Sequence, residues 1–282
     1  MDKKKIQEKV AFSILTFTML LVVIPIILII GFILYKGIGT INWGFITEMP
    51  RKGMKEGGIY PAIVGTMYLV LGTMAFALPL GIGSAIYLNE YAKRGRLTKL
   101  IRLAILNLAG VPSVVYGLFG LGLFVFFLGF GTSILAGSLT LACLILPVII
   151  TASEEALKSV SAEYREASLA LGATKWQTIR HVVLPHAMPG ILTGAILGIG
   201  RAAGETAPIL LTVAAFFLPR LPKSIFDQAM VLPYHLYIIS TQVPNMPEGI
   251  QYGTALVLLG VISIFFIIAT TIRIKMKVAN RS

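Results

Sequence analysis

An arginine and a glutamate lie in the middle of an apolar stretch. Arg201 and Glu205 belong to the segment GRAAGETAP, which apolar residues flank on both sides. A charged side chain at the centre of a bilayer costs about 3 kcal/mol, and residues four apart on a helix can pair and offset part of it. The planar guanidinium matches an oxyanion, so the pair predicts a site for an anion. The alternative is an internal ion pair with no further role.

The composition indicates an integral membrane protein. Of the 282 residues, 56% are hydrophobic and only 13% are charged, and the mean hydropathy is +0.86. In so apolar a chain, the net charge of +12 is typical of basic loops at a membrane face. No basic, aromatic-bearing soluble segment is present to bind nucleic acid. Cys143 is the single cysteine, so no intrachain disulfide is possible.

Long uncharged runs predict an all-α integral membrane fold with six transmembrane helices. About 20 apolar residues in a helix cross the roughly 30 Å of hydrocarbon. The run 103–153 has 51 residues, too many for one crossing, so a turn is expected at LGFGTS, 128–133. The predicted spans are 10–35, 62–88, 103–127, 133–152, 191–217 and 252–272. The fifth carries Arg201 and Glu205.

The distribution of Lys and Arg predicts that both termini, 1–9 and 273–282, are cytoplasmic. With this orientation 17 basic residues lie inside and six lie in the outer loops. The outer loop 218–251 contains five prolines and the apolar segment MVLPYHLYIIS, which is expected either to lie on the membrane surface or to cap a cavity.

The inner loop 153–190 predicts two short helices joined by a tight turn. The first ends at Gly172, a residue suited to the left-handed position after a helix. Thr174 and Gln177 have the spacing of a capping box at the start of the second, which is expected to run to Pro185. The hairpin either projects into the cytosol or folds back on the membrane through its apolar face.

The sequence EASLALGATKWQTIRHVVLP, 166–185, resembles the EAA loop of ABC importer permeases. Ser168 and Val182 depart from the pattern, but both are small changes in volume. The resemblance implies a coupling helix that docks on an ATPase subunit. The residues implied in coupling are Glu166, Ala167, Ser168, Gly172, Ala173, Thr174, Leu184 and Pro185.

Three segments together resemble the PstA family, the permeases of phosphate-specific ABC importers: RAAGETAP, LAGVPSVVYGLFGL and the EAA loop. The resemblance implies a type I ABC importer permease core over 57–272, inorganic phosphate as substrate, and a bacterial or archaeal cytoplasmic membrane. It also implies a homologous permease partner in a heterodimer, two ATPase subunits and an extracytoplasmic phosphate-binding protein. Other oxyanions (phosphonate, molybdate, sulfate), a channel working alone and a non-transporting scaffold are the alternatives.

We expect this chain to be a transport subunit and not an enzyme. It has no G-x-x-x-x-G-K-[ST] motif, so ATP and Mg²⁺ are expected on the partner ATPase and no cofactor on this chain. No metal site is expected, since His181 and His186 do not share a helical face.

Other residues are predicted to line the substrate pathway with Arg201 and Glu205. Thr206, Asn107, Ser113 and Tyr116 offer polar contacts, although helix packing is the favoured explanation for each. Gly200 and Gly204 are expected to leave space around Arg201. A ridge of small residues on the same helix contacts either a second membrane subunit or another helix of this chain; its members are Gly190, Gly194, Gly198 and Ala202.

Overall fold

The computed structural model describes residues 3–93 and 95–279, and in these the chain is mostly helical. The helices are α1 (Lys3–Gly37), α2 (Trp43–Thr47), α3 (Tyr60–Ile86), α4 (Arg96–Ala109), α5 (Ser113–Gly120), α6 (Ile134–Lys158), α7 (Ala162–Ala170), α8 (Lys175–Thr178), α9 (Leu184–Gly204), α10 (Ala207–Thr212), α11 (Leu232–Thr241) and α12 (Glu248–Ala279). A 3-10 turn (Ile38–Thr40) follows α1, and π-helical turns follow α3 (Tyr87–Tyr91), α5 (Leu121–Phe127) and α8 (Ile179–Val183). Two short antiparallel strands, β1 (Pro50–Arg51) and β2 (Glu56–Gly57), precede α3.

Five helical segments of the described residues are long and apolar enough to cross a membrane. They are Glu8–Thr40, Tyr60–Tyr91, Ile134–Lys158, Lys175–Gly204 and Glu248–Met276. The predicted number of six is reached when the bent pair α4 and α5 counts as one span.

The span predicted at 103–127 is not one straight helix. α4 and the helix that starts at Ser113 meet at an angle of 103°. Pro112 explains the break, because a proline lacks the N–H that continues a helix and disfavours helical geometry in the residue before it. The Tyr116 hydroxyl closes the bend by donating to the Leu108 carbonyl at 2.8 Å. By contrast, the turn expected at 128–133 is confirmed, with φ values of +70° at Gly129 and +64° at Gly131.

The span predicted at 191–217 is also wrong as a single helix. α9 ends at Gly204, Glu205 has extended backbone geometry, and α10 runs only from Ala207 to Thr212. Pro208 lies at the start of α10, where its missing N–H is tolerated, and it could not continue α9. After α10 the chain leaves the helical path, and Ala214 pairs with Ala229 as an isolated bridge.

α6 lies at the centre of the fold, between α3 and α9, and its inner residues Leu141, Ile145 and Ile149 are fully buried. The ridge of small residues on α9 packs on α6. Side chains added at Gly190 and Gly194 would collide with the β-carbons of Ala156 and Ala152. Of the two contacts left open by the sequence, the structure therefore shows the one with another helix of this chain.

The outer loop is folded into the protein. Its helix α11 packs against α3 and α12, with Leu232, His235 and Ile239 buried. The Leu232 N–H donates to the Thr66 hydroxyl of α3 at 2.8 Å. The apolar segment of this loop is thus part of the packed core, because it brings its own buried face to α3 and α12.

Candidate functional site

The predicted pair forms at the break between α9 and α10. The Arg201 Nε lies 3.4 Å from Glu205 Oε1. The side chain of Arg201 is 33% exposed and that of Glu205 is 18% exposed. The pairing is confirmed, although the reason differs from the prediction, because Glu205 is the first residue after α9 and does not share a helical face with Arg201. The carboxylate reaches back to the last turn of the helix.

The space beside the pair lies on the Gly204 side. A β-carbon added at Gly204 would meet nothing within 4 Å, whereas one at Gly200 would collide with the Phe266 ring of α12. The prediction of space is confirmed for Gly204 and wrong for Gly200, since α12 fills that side. Tyr116 of α5 lies within electrostatic reach of Arg201. The guanidinium is thus paired, partly exposed and next to an open volume.

The other predicted pathway residues are more dispersed. Thr206 follows Glu205 directly and is half-buried, Ser113 starts α5 and is half-buried, and Asn107 is exposed near the end of α4. Among the described residues, no side-chain hydrogen bond joins any of these three to Arg201 or Glu205. Their roles in a pathway stay predictions.

The predicted hairpin is present, with α7 and α8 as its arms. Gly172 between them has φ = +84°, so the left-handed position expected there is confirmed. The capping box is complete: the Thr174 hydroxyl accepts from the Gln177 N–H at 3.3 Å, and Gln177 Oε1 accepts from the Thr174 N–H at 2.7 Å.

The second arm does not end at Pro185, contrary to the prediction. It continues through the π-helical turn Ile179–Val183 into α9, so hairpin and span form one continuous segment, Lys175–Gly204. The Leu184 N–H donates five residues back to the Ile179 carbonyl. This wider turn lets the helix continue past Pro185, whose ring nitrogen carries no hydrogen for an α-helical hydrogen bond.

The hairpin exposes its tip and is braced at its base. Leu171 is 89% exposed and Trp176 is 53% exposed. At the base, the Ser168 and Thr178 hydroxyls lie 2.9 Å apart, and the Tyr164 ring stacks on His186 with centroids 4.8 Å apart. Of the predicted coupling residues, Glu166, Ala167, Gly172 and Thr174 are exposed, and Ser168, Ala173, Leu184 and Pro185 are partly buried.

The sequence did not predict a clamp between the hairpin and the π-helical turn that follows α3. The Arg165 Nη2 lies 3.0 Å from Glu90 Oε1 and also donates to the Leu157 carbonyl at 2.8 Å. Lys175, on the other arm, donates to the Glu90 carbonyl, and its Nζ lies 4.9 Å from the Tyr91 ring centroid. The spacing of residues along the sequence gives no signal for a contact between positions as far apart as 90 and 165. The one available hint was Glu90 itself, a glutamate just after a predicted span.

A second set of ion pairs is centred on a buried carboxylate. Glu154 of α6 is only 10% exposed in its side chain, and its Oε1 lies 2.8 Å from Arg102 Nη2 and 3.2 Å from Lys158 Nζ. The contacts fasten α4 to the end of α6. No group of three or more His, Cys, Asp or Glu side chains suited to a metal ion occurs among residues 3–93 and 95–279.

Comparison with known proteins assigns this architecture. Residues 77–278 match the family of binding-protein-dependent transport system inner membrane components. A phosphate transport system permease protein PstA 1 of Mycobacterium tuberculosis is 35% identical over 96% of this chain and 90% of its own length. A probable PstA of Methanocaldococcus jannaschii is 33% identical over 97% of this chain and 95% of its own. The chain belongs to this permease family.

A probable ABC transporter permease of Bacillus subtilis, YqgI, is 34% identical to this permease, over 92% of both chains. Two solved structures share its fold. A bacterial ABC transporter that imports alginate matches with a TM-score of 0.68 and 17% identity, over 96% of this permease and 99% of that chain. The inward-facing MetNI methionine ABC transporter matches with a TM-score of 0.59 and 16% identity, over 78% and 94%. The permease has the fold of type I ABC importers and is a multi-pass membrane protein, so the predicted fold class and family are confirmed.

Proposed function

We propose that this permease conducts inorganic phosphate across the cytoplasmic membrane of a bacterium or archaeon, as a subunit of an ATP-driven importer. The Arg201–Glu205 pair at the break between α9 and α10 carries the proposal. A charged pair with no function is replaceable by apolar residues without loss of stability, often with a gain. Its partial exposure beside the open side of Gly204 fits a ligand site better than dry packing. The names of the PstA relatives support phosphate as the ion.

In the proposed mechanism, Arg201 attracts the ion and Glu205 keeps the site weak. An ion that moves through a membrane must bind well enough to enter and weakly enough to leave. Glu205 competes for the guanidinium, so phosphate is held only while it displaces the carboxylate. Glu205 also accepts a hydrogen bond from the proton that phosphate retains near neutral pH. The extended backbone at Glu205 lets the carboxylate turn away from Arg201 without unwinding α9.

The assembly we propose contains a homologous permease, two ATPase subunits and an extracytoplasmic phosphate-binding protein. The exposed apolar tip at Leu171 and Trp176 is the part of this chain that docks on an ATPase, which holds ATP and Mg²⁺. Since α8 is continuous with α9, a movement of the tip reaches Arg201 along one helical segment. This chain supplies the route and no catalytic residue.

The test is phosphate uptake by the Arg201→Ala variant, assembled with its partners in vesicles. We expect uptake to fall at least about tenfold, since a hydrogen bond to a charged group contributes about 1.5–3 kcal/mol. Arg220→Ala, an exposed outer arginine, is the control and should transport normally. Normal uptake by Arg201→Ala would refute the role of the pair.

A further inference from the structure

A strongly basic pocket lies where α3 ends and α4 begins, and none of the residues that line it belongs to the Arg201 site. Its volume is about 730 Å³. The cationic side chains that line it are Arg96, Lys99, Arg102 and Lys158, and its other lining residues are uncharged. This is the side of the chain that the distribution of Lys and Arg predicts to be cytoplasmic.

The carboxylates near the pocket do not neutralise it. Glu154 pairs with Arg102 and Lys158, and Glu155 pairs with Lys158. Arg96 and Lys99 have no ion pair in the described part of the chain. The pocket therefore keeps the charge of two free cations. An anion with several oxygens would pair with both of them.

An apolar groove continues from the basic pocket. Leu88 lines both the pocket and a second cavity of about 560 Å³ between α3 and α4. This cavity shares Leu80, Ile105 and Ile150 with a third one of about 610 Å³, which extends to Phe119. The walls of the second and third cavities are mainly aliphatic. The basic pocket thus borders an apolar groove, made of these two cavities, along α3, α4, α5 and α6.

We propose that this pocket and groove bind an anionic phospholipid, with its phosphate among the four cations and an acyl chain along the groove. Basic pockets between helices on the cytoplasmic side bind the headgroups of such lipids. A free phosphate ion has the same charge chemistry but would leave the groove empty. The whole of α4 fits a lipid surface as well, since none of its residues is buried and Leu97 and Leu100 are largely exposed.

Two variants separate the headgroup from the chain. Arg96→Gln combined with Lys99→Gln removes the two unpaired cations and leaves the pairs of Glu154 intact. Gly83→Leu fills the groove, because Gly83 lines the second cavity and an added β-carbon meets nothing within 4 Å. The control for the charges is Lys55→Gln with Arg220→Gln in the outer loops. The control for the added side chain is Gly260→Leu, whose β-carbon position on α12 is equally open.

The experiment measures binding to the solubilised full chain by native mass spectrometry and by the shift of its unfolding temperature. The probes are phosphatidylglycerol, phosphatidylcholine with the same acyl chains, and inorganic phosphate. We expect phosphatidylglycerol to bind and stabilise the chain more than phosphatidylcholine does. The charge variant should weaken this binding about thirtyfold, since two basic groups at the membrane surface are lost. Gly83→Leu should weaken it severalfold, and both controls should bind as the wild type does.

Three results would overturn the proposal. Equal binding of the two lipids would show that the pocket does not select an anion. Stabilisation by inorganic phosphate that is lost in the charge variant but kept in Arg201→Ala and Gly83→Leu would assign the pocket to the free ion. Loss of the phosphatidylglycerol effect when the chain is measured in its isolated transporter complex would show that a partner subunit covers the groove.

Discussion

Arg165 and Glu90 join the hairpin of α7 and α8 to the π-helical turn that follows α3, through an ion pair of 3.0 Å. The Glu90 side chain is 9% exposed and that of Arg165 is 21% exposed, so the pair is shielded from solvent. Arg165 also donates hydrogen bonds to the carbonyls of Leu157, in the last turn of α6, and of Val160, just after it. One side chain thus links the hairpin to two core helices, and in the proposed mechanism it would carry movement from the ATPase to the membrane.

Removal of this clamp should uncouple transport from ATP hydrolysis. We expect Arg165→Ala to lower the phosphate transported per ATP about tenfold, within the range of coupling free energies between sites, while ATP hydrolysis continues. The charge exchange Glu90→Arg with Arg165→Glu should restore part of the coupling, which a merely folding-defective variant would not do. Uptake per ATP equal to the wild type in Arg165→Ala would rule out the clamp as a coupling element.

The turn of the hairpin depends on Gly172. Its φ of +84° lies outside the range of proline, whose ring holds φ near −65°. Gly172→Pro should therefore distort the tip and uncouple the ATPase without affecting insertion into the membrane. Gly172→Asn is the matched control, because asparagine tolerates this conformation and nothing lies within 4 Å of an added β-carbon. Normal coupling in Gly172→Pro, measured as uptake per ATP, would contradict the role of the turn.

The sequence predicted the long helices and the hairpin well, because both depend on local chemistry. Hydrophobic length locates a span, and Gly172, Thr174 and Gln177 determine a turn and a cap within a few residues of each other. The breaks at Pro112 and Glu205 were missed, because a hydropathy run continues through a bend without any change in composition. The prolines at 112 and 208 were the available signals.

Contacts between distant segments could not be predicted from the sequence, for a different reason. The ridge at Gly190 and Gly194 has the same spacing whether it faces α6 or another subunit, so only the fold decides. The ion pair of Glu90 and Arg165 likewise depends on how α3 and α7 are placed. The contact of Arg201 with Glu205 was predictable because it is local, even though the helix ends between them.

Glu205 should help to distinguish phosphate from sulfate. A carboxylate accepts a hydrogen bond from the O–H of hydrogen phosphate and has no donor to offer sulfate, whereas the glutamine amide can donate to a sulfate oxygen. We expect Glu205→Gln to lower the selectivity for phosphate severalfold, measured as inhibition of phosphate uptake by sulfate in vesicles. Glu205→Asp keeps the charge and should retain most of the selectivity. Unchanged competition by sulfate in Glu205→Gln would remove this role from the mechanism.

The buried His235 should make the permease sensitive to acid. His235 lies on α11, outside the membrane-spanning helices, and burial lowers its pKa from 6.5 to about 4. The unfolded chain therefore binds a proton below pH 6.5 that the folded chain accepts only near pH 4, so stability falls as the pH drops through this window. The loss amounts to about 3 kcal/mol at pH 4.

In His235→Phe the unfolding temperature should decline less between pH 6.5 and pH 4 than in the wild type, since this proton linkage is gone. His181→Gln, at an exposed histidine of the hairpin, should decline as the wild type does. An identical decline in all three proteins would show that His235 does not set the acid sensitivity.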